Sequence, residues 1–216
     1  MQPVLWAAAG TGFTCLMTVL GASMVFFFRK RVTEGAQRIF LGFAAGVMVA
    51  ASVWSLLIPA IEEAESRGVP GWLPAAGGFL LGVGFLMALD SVMPHLHLGA
   101  DQPEGHSSSW KRTTLLVLAV TLHNIPEGMA VGFSFALAAQ HGDDPALYTG
   151  ALALALGMGL QNFPEGAAIS LPLRQEGLPA WKSFVYGGLS GIVEPLFGIL
   201  AVLTAVSCSL SLLRPS

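Results

Sequence analysis

The sequence predicts an all-α protein, a polytopic transmembrane bundle of about six spans, and three observations carry that reading. Of its 216 residues, 54% are hydrophobic and only 11% are charged, against about 25% charged in an average soluble domain. Apolar stretches of about 20 residues recur, and a helix of that length crosses a hydrocarbon core of roughly 30 Å. Basic residues gather in alternate connections, as they do in multi-pass chains.

The spans read 4–28, 37–61, 72–93, 113–139, 146–172 and 182–206, within one transmembrane domain covering 1–216. The first has no basic residue before it and is too long for the apolar region of a cleavable signal. The second, third and sixth carry glycines at the small-xxx-small spacing, Gly42/Gly46, Gly78/Gly82 and Gly187/Gly191. That spacing favours close helix approach but recurs by chance among 26 glycines. A polar loop, 94–112, follows the third span and holds Asp101 and Glu104. The fourth and fifth spans contain a repeated polar motif, and the sixth contains a buried carboxylate.

Charge sets the orientation. Arg29, Lys30, Arg31, Arg38, Lys111, Arg112, Arg174 and Lys182 all follow odd-numbered spans, while Arg67 and Arg214 lie on the other side. By the positive-inside rule the N-terminus faces outside and 94–112 is cytoplasmic. Glu62, Glu63 and Glu65 then lie outside, as do His141, Asp143 and Asp144, which read as solvated surface. A net charge of -3 points to no nucleic-acid partner. Cys15 and Cys208 sit far apart in apolar stretches and read as small buried hydrophobes.

The repeat is His123-Asn124-Ile125-Pro126-Glu127-Gly128 in the fourth span and Gln161-Asn162-Phe163-Pro164-Glu165-Gly166 in the fifth. Paired interrupted helices of opposite direction are a pointer to a transporter's binding site near the midplane. His123 and Glu127 are four apart and share a helix face, as do Gln161 and Glu165. Pro126 and Pro164 have no N–H, which should kink these two inverted, motif-bearing helices and free the carbonyls of Leu122 and Leu160 beside the polar side chains. Such defects survive at membrane depth only where they line an enclosed or watery cavity. A carboxylate there costs at least about 2.5 kcal/mol. With Glu194 of Gly191-Ile192-Val193-Glu194-Pro195 there are three, which would repel strongly. A divalent cation relieves that repulsion, and carboxylates can bridge two. The His123 imidazole suits zinc, iron, copper or nickel, and Asn124, Gln161 and Asn162 add amide oxygens. There is no thiolate cluster of the structural-zinc kind.

The doubled hexamer resembles the motif of the ZIP (Zrt/Irt-like) metal-ion transporters, of the bacterial kind, over nearly the whole chain. The resemblance implies that His123, Glu127, Gln161, Glu165, Glu194 and, from the second span, Met48 bind a primary metal. Asn124 and Asn162, with the bridging glutamates, would form a second adjacent position, making the site binuclear. Ser55 and Glu62, at seven-residue steps from Met48, would line the entrance path. His95, His97 and His106 would hold or sense metal in the cytoplasmic loop, although incidental histidines in a polar loop are an equal reading. Asp90 reads as interfacial, with an exit-path role as the alternative. The resemblance further implies Zn²⁺ as cargo, with Cd²⁺, Fe²⁺ or Mn²⁺ fitting the same ligands. It also implies elevator-type alternating access, a homodimer, and a bacterial inner (plasma) membrane location.

One departure stands out: the family has eight spans, and this chain ends after the sixth at Leu213-Arg214-Pro215-Ser216. The ligand-bearing helices are present, so a metal-binding but transport-deficient short form is the first alternative. An intramembrane metallohydrolase is the second, but it would need an open zinc position and usually several His ligands. The sequence has no His-Glu-x-x-His and one His within a span, so no enzyme is expected. A Na⁺ or H⁺ carrier is the third, and His123 argues against Na⁺.

Overall fold

The computed structural model describes residues 2–28, 34–92, 112–142 and 144–212. The expectations for His95, His97, His106 and Asp143, and for the side chain of Asp90, lie outside the described residues. Among those residues every regular element is helical, as the apolar stretches predict.

Helix α1 (Gln2–Ala22) continues into a 3-10 turn, Ser23–Phe26. Its buried stripe is Ala7, Gly10, Thr11, Thr14, Thr18, Gly21 and Ala22, small and hydroxylated positions on one helical face. Hydroxyls tolerate this burial by donating back along the helix. Thr11 donates to Ala7 O at 2.7 Å and Thr14 to Thr11 O at 2.9 Å. The second span is one rod made of α2 (Glu34–Ala51), a π-helical stretch Ser52–Leu57 and α3 (Ile58–Ser66). Pro59 explains the π winding: it has no N–H to offer Ser55 O, and Ile58 N instead donates five residues back to Val53 O. Helix α4 (Trp72–Val92) follows and touches the rest through α3. Its Phe79, Leu80, Leu81 and Met87 are exposed, the disposition of a helix whose solvent is lipid.

Helices α5 (Arg112–Gln140) and α6 (Pro145–Gln175) each continue without a break past their motif prolines, Pro126 and Pro164. Gly142, at φ 69°, reverses the chain between them. Asp144 then caps α6 by accepting from Ala146 N at 2.8 Å, with Pro145 in the first turn. The sixth span is α7 (Ala180–Leu189), a 3-10 turn Ser190–Ile192 and α8 (Val193–Leu212).

Packing pairs these elements. Helix α1 lies along α6, α8 lies along α5, and the α2 rod leans on α6. An apolar core of Phe135, Leu154, Met158, Val131 and Val202 fills the end of the bundle near the start of α1. Trp6 stacks on Phe135 there, with ring centroids 6.3 Å apart, and Tyr148 tilts against both. Of the small-xxx-small pairs only Gly187/Gly191 is in contact; Gly42, Gly46, Gly78 and Gly82 have nothing within 4 Å among the described residues.

Among the described residues, four helical runs are long and apolar enough to span a membrane: Gln2–Phe26, Gly42–Ser66, Thr114–Gln140 and Ala180–Ala205. Trp72–Ala88 is a shorter apolar helix. Helix α6 has 31 residues, about 46 Å of helix, but Gln161, Asn162 and Glu165 dilute its hydropathy.

Candidate metal centre

The two hexamers face each other because their glycines let other helices come close. A Cβ on Gly128 would stand 2.4 Å from Glu194 O, and one on Gly166 would stand 2.0 Å from Thr18 O. Only a bare Cα permits either crossing. The first crossing sets Glu194 against α5; the second sets the threonine stripe of α1 against α6.

Around these crossings the motif side chains form one buried network. Gln161 donates from Nε2 to Glu127 Oε1 at 2.7 Å and to Met158 Sδ at 3.3 Å. Asn162 donates from Nδ2 to Glu194 Oε2 at 2.8 Å and to Thr14 O at 3.4 Å. Asn124 donates from Nδ2 to Ser190 O at 3.2 Å. Glu194 is 1% exposed and Glu127 6%. Glu165 is half-buried, with its Oε1 wholly shielded.

Every amide in this network has its nitrogen committed and its oxygen free. Five buried side-chain oxygens have no hydrogen-bond partner among the described residues: Asn124 Oδ1, Glu127 Oε2, Gln161 Oε1, Asn162 Oδ1 and Glu165 Oε1. All five belong to the two hexamers. Leaving a buried acceptor without a partner costs about 1–3 kcal/mol, more for a charged group. A set of acceptors with no donors is chemically complementary to a cation. Among the described residues no three His, Cys, Asp or Glu side chains converge tightly enough to hold a metal by themselves. An ion at this place would draw on the amide oxygens as well.

The remaining expected residues are half-buried or exposed. His123 places Nε2 3.6 Å from Glu127 Oε1, but its side chain is 44% exposed, so it stands at the rim. Met48 is half-buried on α2, and Val47 beside it reaches toward Gly157 of α6. Ser55 is half-buried within the π stretch and Glu62 is exposed on α3. The π winding turns less per residue than an α-helix, so these two depart from the straight line through Met48 that a regular helix would give. On the surface, Glu63 binds His141 Nε2 at 2.9 Å and also pairs with Arg67, which joins two connections read from sequence as plain solvated charge.

Sequence reasoning missed three participants. Met158 is the methionine that touches the motif, through Gln161; its i,i+3 spacing from Gln161 was the available signal. Thr14 and Thr18 contact the network from α1. Their signal was a run of threonines at Thr11, Thr14 and Thr18, on one face of an otherwise apolar span.

No family model matches the chain. Similar proteins are the human zinc transporter ZIP11, 36% identical over 94% of this chain and 81% of that protein, and the zinc transporter GufA of Myxococcus xanthus, 40% identical over 86% and 72%. The zinc transporter ZupT of Salmonella newport is 34% identical over 91% and 70%.

Proposed function

The chain belongs to the ZIP family of zinc transporters and is a multi-pass membrane protein, not an enzyme; from that premise we propose that it carries Zn²⁺ into the cytoplasm across a bacterial inner membrane, through a site within the bilayer built by the two hexamers and Glu194. The observation that carries this reading is the set of five donor-less buried oxygens, all in the two hexamers.

In this reading Glu127, Gln161, Glu165 and Glu194 hold the first ion, with His123 from the rim and Met48 from α2. Asn124 Oδ1 and Asn162 Oδ1 serve a second ion beside it, and the glutamates bridge the two. The mixed nitrogen and oxygen donors also admit Cd²⁺, Fe²⁺ and Mn²⁺. Neutral amides in place of further anions keep binding reversible, as a carrier requires. Ser55 and Glu62 lie along the approach.

The apolar core of Phe135, Leu154 and Met158 fills the end of the bundle near the start of α1. With the N-terminus outside, that core separates the site from the external face. Alternating access then moves α1, α5, α6 and the sixth span as one tightly packed unit against the α2 rod and α4, in a homodimer.

Liposomes loaded with a zinc-sensitive dye test the proposal. Entry of external Zn²⁺ that Glu127→Ala with Glu165→Ala abolishes is the expected result. No entry, with calorimetric binding intact, would refute carriage while keeping the site. Neither entry nor binding would sink the site as well.

A further inference from the structure

We propose that the first span is a third wall of this site, with Thr14 and Thr18 as positioning residues that hold the Glu194 carboxylate in place for the metal; the inference rests on the metal-site reading above. Both threonines are wholly buried. The Thr18 hydroxyl has one proton and two acceptors in reach, Thr14 O at 3.3 Å and Glu194 Oε1 at 3.4 Å. Thr14 stands one turn away on the same face: its hydroxyl donates to Thr11 O at 2.9 Å and lies near the Glu194 carboxylate. Its carbonyl accepts from Asn162, which also donates to Glu194. Thr18 can turn its proton from its own helix to the carboxylate by a side-chain rotation, with no backbone motion. A Cβ on Gly191 would lie 3.0 Å from Thr18 Oγ1 and 3.2 Å from Glu194 Oε1, so the bare glycine keeps the path between them clear.

The packing explains why a hydroxyl stands there. Asn124 donates to Ser190 O, and four residues on, Gly128 abuts Glu194, which is four beyond Ser190. Asn162 donates to Thr14 O, and four residues on, Gly166 abuts Thr18, which is four beyond Thr14. The same joint is made twice, α5 against the sixth span and α6 against the first. In that correspondence Thr18 occupies the place of Glu194. A second carboxylate there would repel the first, whereas a hydroxyl donates to it and leaves its other oxygen edge to Asn162. The acid of one half is thus steadied by the alcohol of the other.

The test is zinc calorimetry on the full chain in lipid nanodiscs, comparing wild type, Thr14→Val with Thr18→Val, Thr14→Ser with Thr18→Ser, and the valine pair in a Glu194→Gln background. Valine keeps the shape and removes the donors. Zinc affinity should fall about tenfold or more with the valine pair, the range for losing hydrogen bonds to a charged group. Serine should recover most of that loss. In Glu194→Gln the valine pair should add little, because a merely structural effect would not depend on that carboxylate. Unchanged affinity in the valine pair, or an equal loss in the Glu194→Gln background, would overturn the positioning role. Failure of the wild type to bind zinc would instead overturn the metal site, and this inference with it.

Discussion

Replacing Gly166 by alanine should pry α1 away from α6. The added Cβ would meet Thr18 O at 2.0 Å, Ala22 N at 2.8 Å and Thr18 C at 2.9 Å. All three are backbone atoms, so no side chain can turn aside to make room. Restoring an ordinary contact near 3.4 Å requires α1 to retreat by about 1.4 Å, the difference from the 2.0 Å approach. Overpacking of a tight interior typically costs about 1–3 kcal/mol. The retreat also draws Thr18 and Thr14 O away from Glu194 and Asn162, contacts already at 3.4 Å and with no slack to lose. Thermal unfolding in nanodiscs should therefore show a lowered midpoint, and zinc calorimetry a weakened affinity. Gly150→Ala on the same helix is the control, because nothing lies within 4 Å of its Cβ position; alanine's better helix propensity should leave that variant equal to wild type or slightly more stable. If Gly166→Ala melted with wild type, or Gly150→Ala fell as far, the close crossing of α1 and α6 would be refuted.

Three other variants probe the remaining parts. Asn162→Asp replaces an N–H donor with an oxygen 2.8 Å from Glu194 Oε2; the zinc-free protein should melt earlier and gain more from added Zn²⁺ than wild type does, a difference visible in paired thermal shifts. Phe135→Ala empties a fully buried position in the apolar core and should cost about 3–5 kcal/mol, read by denaturation, and a loss under 1 kcal/mol would contradict the core described. His123→Ala removes a side chain that is 44% exposed, so the melting midpoint should hardly move. Competition calorimetry should nevertheless show a lower preference for Zn²⁺ over Mn²⁺, since imidazole favours the former.

The sequence by itself determined the helical class and the two hexamers with the third glutamate, because each rests on local physics. A run of apolar residues must close its backbone hydrogen bonds internally, and a charged residue inside such a run is costly enough to need a reason. The residues of the candidate site were legible for the same reason: Glu127, Gln161, Glu165 and Glu194 are expensive inside apolar spans, and His123 shares a face with Glu127. What was not legible was which atoms turn toward the protein and which are left without a partner. Asn124, Gln161 and Asn162 each spend their nitrogen on a neighbour and keep an oxygen free, and that depends on Ser190, Glu127 and Glu194 arriving from other spans. Thr14 and Thr18 carried almost no cost in sequence, since a hydroxyl can satisfy itself on its own helix; only the approach of α8 to α1 gives Thr18 a second acceptor. The π stretch before Pro59 likewise shifts Ser55 and Glu62 from the face that a regular helix would give them. Local energetics name the residues that need partners, and only the crossings at Gly128 and Gly166 decide who those partners are.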